Sequence, residues 1–403
     1  MKNLVVSLLI ISVIGVIGFA LVSQAGSEPT ARKIVVFKPG VEDSEKEARI
    51  DKVKGIKIKH LRLINGKAAL LSKSAEEALL KDPAVSRIDD DVEVFALSRS
   101  VKDEKNENGF LFERKALSQP AQVLPWGIDR IDAELAWVTT TANPIKVAVV
   151  DTGIDVSHPD LKDNIKGGVS TVWYTTSYND DNGHGSHVAG IAAALDNTIG
   201  VIGVGPQIDL YSVKVLDRRG SGYLSDVIEG LDWTIANGMQ VVNMSLGTTA
   251  NILSFREAIQ RVNDTGIVQV AAAGNSGGAV IYPAAYPEVI AVSATDKTNT
   301  IASWSSRGPE IDLAAPGVNI YSTYKGSKYK TLSGTSMASP HVAGSAALVL
   351  NTPVGAYDID FDGIWDPTEV QQKLQDRTID LGKIGFDNLY GWGLVNAYNA
   401  VQP

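Results

Sequence analysis

No cysteine occurs in the 403 residues, which removes thiol nucleophiles, thiolate metal sites and disulfide staples from consideration at once. If such a chain is exported, something other than disulfides must rigidify it. Histidine is nearly as scarce. His60, His158, His184, His187 and His341 are the only five, so imidazole chemistry has few candidates. Basic charge is also in short supply, with 37 Lys and Arg against 46 Asp and Glu and a net charge of -9. No basic stripe runs through the chain, so the electrostatic footprint of a nucleic-acid binder is missing, and neither DNA nor RNA is expected as a partner. What is present in quantity is apolar sequence, 44% of the residues, enough for two or three units with at least one large core.

Lys2 and Asn3 precede an apolar run from Leu4 to Val22, and Ser23-Gln24-Ala25 follows with small residues. A run of this length suits a membrane anchor, but the small-residue site favours an export signal over residues 1–25, cut after Ala25. The expectation is a secreted, monomeric protein with no lasting membrane association. Residues 26–97 read as a separate small unit: a strand from Ile34 to Phe37, a charged helix from Ser44 to Val53, two strands, a helix from Ser74 to Leu80 and a last strand from Val85 to Leu97. That order predicts a ferredoxin-like α+β fold. Residues 98–120 are rich in Lys, Glu, Asn and Ser without a sustained period and read as a linker or arm. From residue 121 onward β-branched runs (Lys146 to Val150, Leu210 to Val215, Val241 to Met244, Ile267 to Ala272, Val289 to Val292) alternate with helical stretches. Near-continuous apolar strands between helices predict an α/β unit whose mostly parallel sheet is covered on both faces.

Functional groups in such a sheet gather at the carboxyl ends of its strands. Asp151 closes one of them, in Val150-Asp151-Thr152-Gly153, although Asp is also a common turn and cap residue. His184 lies in Asn182-Gly183-His184-Gly185-Ser186-His187 ahead of a small-residue helix. The spacing of His184 and His187, with no Glu between them, does not match a zinc-protease helix. Ser336 sits in Ser333-Gly334-Thr335-Ser336-Met337-Ala338-Ser339-Pro340 before an apolar helix. Pro340 fits that helix's first turn, which would put Ser336 at a helix N-terminus where free N–H groups favour developing negative charge. Read alone, Ser336 is an ordinary N-cap. The set is more informative than its members, because a serine hydroxyl becomes nucleophilic only when an imidazole takes its proton and a buried carboxylate holds the imidazole's tautomer. Asn275, in Ala272-Ala273-Gly274-Asn275 at another strand end, adds an amide donor suited to an oxyanion.

The segments around Asp151, His184, Asn275 and Ser336 resemble the motifs of the subtilisin-like serine proteases. The likeness extends through Pro120-Ala121-Gln122, Lys214-Val215-Leu216, Asn243-Met244-Ser245-Leu246-Gly247, Tyr286-Pro287-Glu288-Val289 and Tyr390-Gly391-Trp392-Gly393-Leu394. It implies that family's three-layer α/β fold over residues 121–403 and a secreted serine endopeptidase acting on protein and peptide substrates. Its substrate cleft would be lined by Gly220-Ser221-Gly222 and Ser245-Leu246-Gly247, pairing with an extended peptide. Ala272, Ala273 and Gly274 would wall the pocket for the residue before the cut. The stretch from Ser276 to Ile281 is shorter than in familiar members and puts Ile281 where a small residue is common, which leaves side-chain preference open.

The resemblance makes residues 26–97 an inhibitory and chaperoning propeptide, released by a cut after Leu97, with Leu117 as the second choice. It also implies a calcium site built from Gln122, Asp160 and Asn197 side chains with the carbonyls of Leu195, Ile199 and Val201. A second calcium loop is legible in the residues themselves over 358–369, where Asp358, Asp360 and Asp362 take the first, third and fifth places, Gly363 the sixth and Glu369 the twelfth, with Ile364 and Asp366 between. Two rival readings compete with this one. An inactive calcium-dependent binding protein on the same fold would be expected to lack part of the catalytic set, and a dinucleotide enzyme needs a Gly-rich phosphate turn that Asp151-Thr152-Gly153-Ile154-Asp155 does not supply.

Overall fold

A computed structural model describes residues 28–100 and 119–403. The expected export signal with Ala25, most of the 98–120 arm and the alternative cut at Leu117 lie outside these described residues. The first unit comprises β1 (Thr30–Phe37), α1 (Asp43–Lys52), β2 (Ile56–Leu61), β3 (Gly66–Ser72), α2 (Lys73–Leu80) and β4 (Val85–Asp90). Its sheet is antiparallel in the order β2-β3-β1-β4, the ferredoxin-like arrangement. In β1 the side-chain period of two sorts the apolar residues onto opposite faces. Val35 and Phe37 join Ile50, Leu71 and Leu79 in the unit's own core, while Ile34 and Val36 join a core shared with the rest of the chain.

The single last strand expected over Val85 to Leu97 is instead two. Asp91 breaks the run, because its buried carboxylate accepts the Ser225 N–H at 2.8 Å and pairs with Arg32 at 2.8 Å. The chain then leaves its own sheet, forms β5 (Glu93–Ala96) and continues into β6 (Arg99–Ser100).

The second unit carries α3 (Trp126–Arg130), α4 (Ala133–Ala136), β7 (Lys146–Asp151), β8 (Ile165–Ser170), α5 (His184–Ala193), β9 (Asp209–Lys214), β10 (Ser221–Tyr223), α6 (Leu224–Ala236), β11 (Val241–Met244) and β12 (Leu246–Gly247). It continues through α7 (Leu253–Asn263), β13 (Val268–Ala272), β14 (Ile290–Thr295), β15 (Leu313–Pro316), β16 (Ile320–Tyr324), β17 (Lys328–Ser333), α8 (Thr335–Leu350), α9 (Pro367–Asp376) and α10 (Ala397–Val401). A seven-stranded parallel sheet in the order β15-β14-β13-β11-β7-β9-β8 forms the middle layer. One face packs on α5 and α8 and the other on α6 and α7, so strands such as Val147–Val150 are buried throughout. The edge strands β8 and β15 escaped the sequence reading; β8, Ile-Lys-Gly-Gly-Val-Ser, lacks a continuous apolar run. Among the described residues no helix is long and apolar enough to cross a membrane.

Helix α8 corrects one local expectation. It starts at Thr335, so Pro340 lies inside it and not in the first turn. A proline has no N–H for the carbonyl four residues back. That carbonyl belongs to Ser336, and the Ser245 hydroxyl donates to it at 2.9 Å.

Candidate active site

The parallel sheet delivers Asp151 at the carboxyl end of β7, where its side chain is wholly buried. His184 opens α5, and its Nδ1–H lies 2.8 and 2.9 Å from the two Asp151 oxygens. This approach requires Gly185, since a Cβ there would stand 2.1 Å from the Gly153 carbonyl. Asp151 also accepts the Thr152 N–H at 2.6 Å. Burial disfavours the charged form of His184, but the Asp151 carboxylate and its hydrogen bond outweigh burial, aided by Asp180, and lift the imidazole above its ordinary range.

Ser336 is buried in the first turn of α8 and donates its hydroxyl to the Ser245 carbonyl at 3.0 Å. The same carbonyl receives the N–H of Leu97 at 3.2 Å. Leu97 reaches this point because β5 runs antiparallel between β10 and β12 as a middle strand, pairing Phe95 with both Ser221 and Gly247. Its carbonyl accepts from Asn275 Nδ2 at 2.6 Å. The Asn275 amide cannot turn freely, because its Oδ1 accepts from the Thr335 N–H and hydroxyl at 2.9 and 3.0 Å. Gly334 clears the way: a Cβ there would meet the Leu97 oxygen at 2.5 Å. His184 Nε2 is buried with no hydrogen-bond partner among the described residues. The Leu97 carbonyl is thus held by an amide donor, and the Leu97 N–H shares the Ser245 carbonyl with the Ser336 hydroxyl.

Residues 142–393 match the model of the Subtilase family. The chain belongs to that family. It is 47% identical to Subtilisin Savinase of Lederbergia lenta, over 70% of this chain and 100% of that protein. It is 44% identical to an alkaline protease of Alkalihalobacillus alcalophilus, over 82% of this chain and 78% of that one, and 40% identical to Subtilisin J of Geobacillus stearothermophilus, over 94% and 93%. By its family, this subtilase is a serine endopeptidase with the three-layer α/β fold.

Of the other histidines of this subtilase, His60 Nε2 lies 3.0 Å from the Asp43 carboxylate, and the remaining three are tied to backbone carbonyls. His158 Nε2 donates to Lys328 at 2.9 Å, His187 Nε2 to Lys330 at 2.9 Å and His341 Nδ1 to Met337 at 2.8 Å. Burial pushes His187 down to about 3 and His341 to about 4, so neither carries charge near neutrality. Ala272, Ala273 and Gly274, expected to wall a substrate pocket, are buried. Ile281 lies against both Gly247 and Gly274, within 2.7 and 3.3 Å of where their Cβ atoms would be. Sequence reading overlooked Thr335 and Asp180. Asp180 is buried beneath α5, accepting from the Gly183 N–H, the Thr152 hydroxyl and the Ser186 hydroxyl at 2.8, 2.9 and 2.6 Å. An Asp before a glycine-flanked helix start is a capping signal that could have exposed it.

The residues expected around a first calcium converge. Gln122 lies 2.9 and 3.5 Å from the carbonyls of Leu195 and Val201, Asp160 accepts from Asn197 Nδ2 at 2.8 Å and the Val201 N–H at 2.9 Å, and Ile199 donates its N–H to Asn197 Oδ1 at 2.7 Å. Burial raises the carboxyl of Asp160 above its ordinary range, and among the described residues no Lys or Arg pairs with it. An oxygen-rich locus around a buried, unpaired carboxylate suits a hard cation. In the second loop, Asp358, Asp360 and Asp362 bring ligand oxygens within 4.8 Å of one another, and Gly363 turns at φ 76. Asp366 and Glu369 do not join them; they form the capping box of α9, with Glu369 accepting the N–H groups of Ile359 and Asp366 at 2.8 and 3.1 Å.

Proposed function

We propose that this subtilase is a secreted endopeptidase made as a self-processing precursor, with Ser336 as nucleophile, His184 as general base and acid, Asp151 orienting the imidazole and Asn275 stabilising the oxyanion. The observation that carries the reading is the course of the uncut chain: β5 lies between β10 and β12 as a substrate would, and the Leu97 carbonyl accepts from Asn275 beside the Ser336 hydroxyl. Ser336 Oγ attacks the Leu97 carbonyl carbon as its proton passes to His184 Nε2, which requires the hydroxyl to exchange Ser245 for the imidazole. Asn275 Nδ2 receives the oxyanion, aided by the positive end of α8. Collapse breaks the Leu97–Ser98 bond, His184 returns the proton to the Ser98 nitrogen, and water then hydrolyses the acyl-enzyme.

In this reading residues 1–25 are an export signal cut after Ala25, 26–97 are the inhibitory propeptide, 98–120 are an arm and 121–403 are the catalytic unit. Substrates pair with Gly220–Gly222 and Ser245–Gly247, and Ala272, Ala273 and Gly274 border the residue before the cut. Calcium is held by Gln122, Asp160 and Asn197 with the Leu195, Ile199 and Val201 carbonyls, and by Asp358, Asp360 and Asp362 with the Ile364 carbonyl. Asp366 and Glu369 complete the second site only by giving up the cap. Bound calcium supplies stability that no disulfide can. The test is to purify the precursor with and without Ser336→Ala and sequence the N-termini. The unmutated chain is expected to yield a new terminus at Ser98 while the variant stays intact. Cutting of the pure variant at the same bond would refute self-processing.

A further inference from the structure

Past the scissile bond the chain does not leave the protein. β6 pairs antiparallel with β17, Arg99 opposite Ser333 and Ser100 opposite Leu332. The other edge of β17 is taken by β16, so a substrate's downstream half has one strand edge to extend along. For a substrate bound in the register of β6, the fourth residue after the bond would stand opposite Thr331, the fifth opposite Lys330, the sixth opposite Tyr329 and the seventh opposite Lys328. In an antiparallel pair, directly opposed residues project on the same face and interact. Beyond Leu332 this edge has no strand partner among the described residues.

The β16–β17 hairpin, Tyr324-Lys325-Gly326-Ser327-Lys328-Tyr329-Lys330, is basic in a chain whose net charge is -9. Among the described residues none of its three lysines forms an ion pair. Lys325 donates to the Asp181 carbonyl at 2.6 Å, and the Lys330 ammonium stands 4.9 Å from the Tyr324 ring centroid. Lys328 and Lys330 are exposed and alternate with Tyr329. Asp155 is the carboxylate bound to the turn, and its Oδ2 is already occupied by the Gly326 and Ser327 N–H groups at 2.8 and 3.1 Å.

Building on the protease reading above, we propose that this edge is a downstream subsite selecting substrates with carboxylates at the fifth and seventh residues after the cleaved bond. Lys330 faces the fifth and Lys328 the seventh, while the sixth falls on the opposite face beside Tyr329. The selection is electrostatic and at the surface, so salt weakens it.

The test uses quenched fluorescent peptides that carry Glu93–Leu97 ahead of the bond and Glu, Gln or Lys at the fifth, sixth or seventh residue after it. Glu at the fifth or seventh should raise kcat/KM over Gln by about two- to five-fold, as exposed ion pairs allow, and Lys should lower it. Glu at the sixth should have little effect. The gain should fade near 1 M salt, where the Debye length is about 3 Å. Lys328→Glu with Lys330→Glu should invert the preference, with equal labelling of Ser336 by a fluorophosphonate showing that the variant is folded. Equal rates for Glu, Gln and Lys, or a sixth-residue effect matching the fifth, would overturn this subsite alone. Failure to cut any peptide would overturn the protease reading with it.

Discussion

At the scale of single residues, the candidate site is governed by groups that restrict other groups. Asn275 points its Nδ2 at the Leu97 carbonyl because Thr335 holds the other end of the amide by two hydrogen bonds. Replacing Asn275 with Ala is therefore expected to lower kcat by about 100- to 1,000-fold with little change in KM, the usual cost of losing one oxyanion donor. Thr335→Val keeps the backbone N–H and should cost less. Steady-state kinetics on a short peptide separate the two, and a mainly KM effect for Asn275→Ala would remove its assigned role. Asp151, His184, Asn275 and Ser336 were all legible in the sequence, because their neighbours are small residues at strand or helix ends. Thr335 was adjacent to a legible residue yet went unnoticed, since its importance is a contact with Asn275, sixty positions away.

At the scale of elements, the helix ends decide most of the local architecture. Asp89 and Asp91 of the N-terminal unit accept the Ser254 and Ser225 N–H groups at the starts of α7 and α6 at 3.1 and 2.8 Å, satisfying first-turn N–H groups that have no partner four residues back. That contact splits the strand expected to run unbroken from Val85 to Leu97. The acidic loop before α9 presents the same competition in another form, because Glu369 satisfies backbone N–H groups while Asp358, Asp360 and Asp362 stand clustered without a counter-charge among the described residues. Calcium at about 100 times its Kd would add about 2.7 kcal/mol through such a site. Asp358→Asn with Asp360→Asn, in a Ser336→Ala background that prevents self-digestion, should thus lower Tm in calcium and leave it unchanged or slightly raised in chelator. An equal loss of Tm in both would show that the carboxylates matter for folding and not for a cation.

At the scale of the whole molecule, distant segments are tied together at a few polar nodes. Asp312 accepts from the Ala291 N–H and from Gln371 and Gln375 of α9 at 2.8, 2.8 and 3.0 Å, and its carbonyl accepts from Trp392 near the C-terminus. Burial pushes its carboxyl up to about 6. A raised carboxyl pKa means that the folded state holds the proton more tightly than the unfolded chain. The resulting stabilisation is fully present below the unfolded value of roughly 4 and is lost as pH rises through about 6. Asp312 keeps some solvent access, so relative to Asp312→Asn the unsubstituted chain should lose about 2 kcal/mol between pH 4 and 7. Thermal melts across that range check the sign, and a difference that does not move with pH would rule the linkage out.

The fold class, the order of the ferredoxin-like unit, the candidate residues Asp151, His184, Asn275 and Ser336 and the two acidic or amide-rich loops could be picked out from residue order alone, because periodicity, strand-end placement and residue spacing are local properties of a chain. Tertiary structure alone decided where β5 goes, which carbonyl Asn275 meets, how the Ser336 carbonyl is satisfied after Pro340 removes its partner, and which strand edge the chain meets after Leu97. Each of these is a contact between residues far apart in sequence, and its geometry exists only once the sheet has brought the strand ends together.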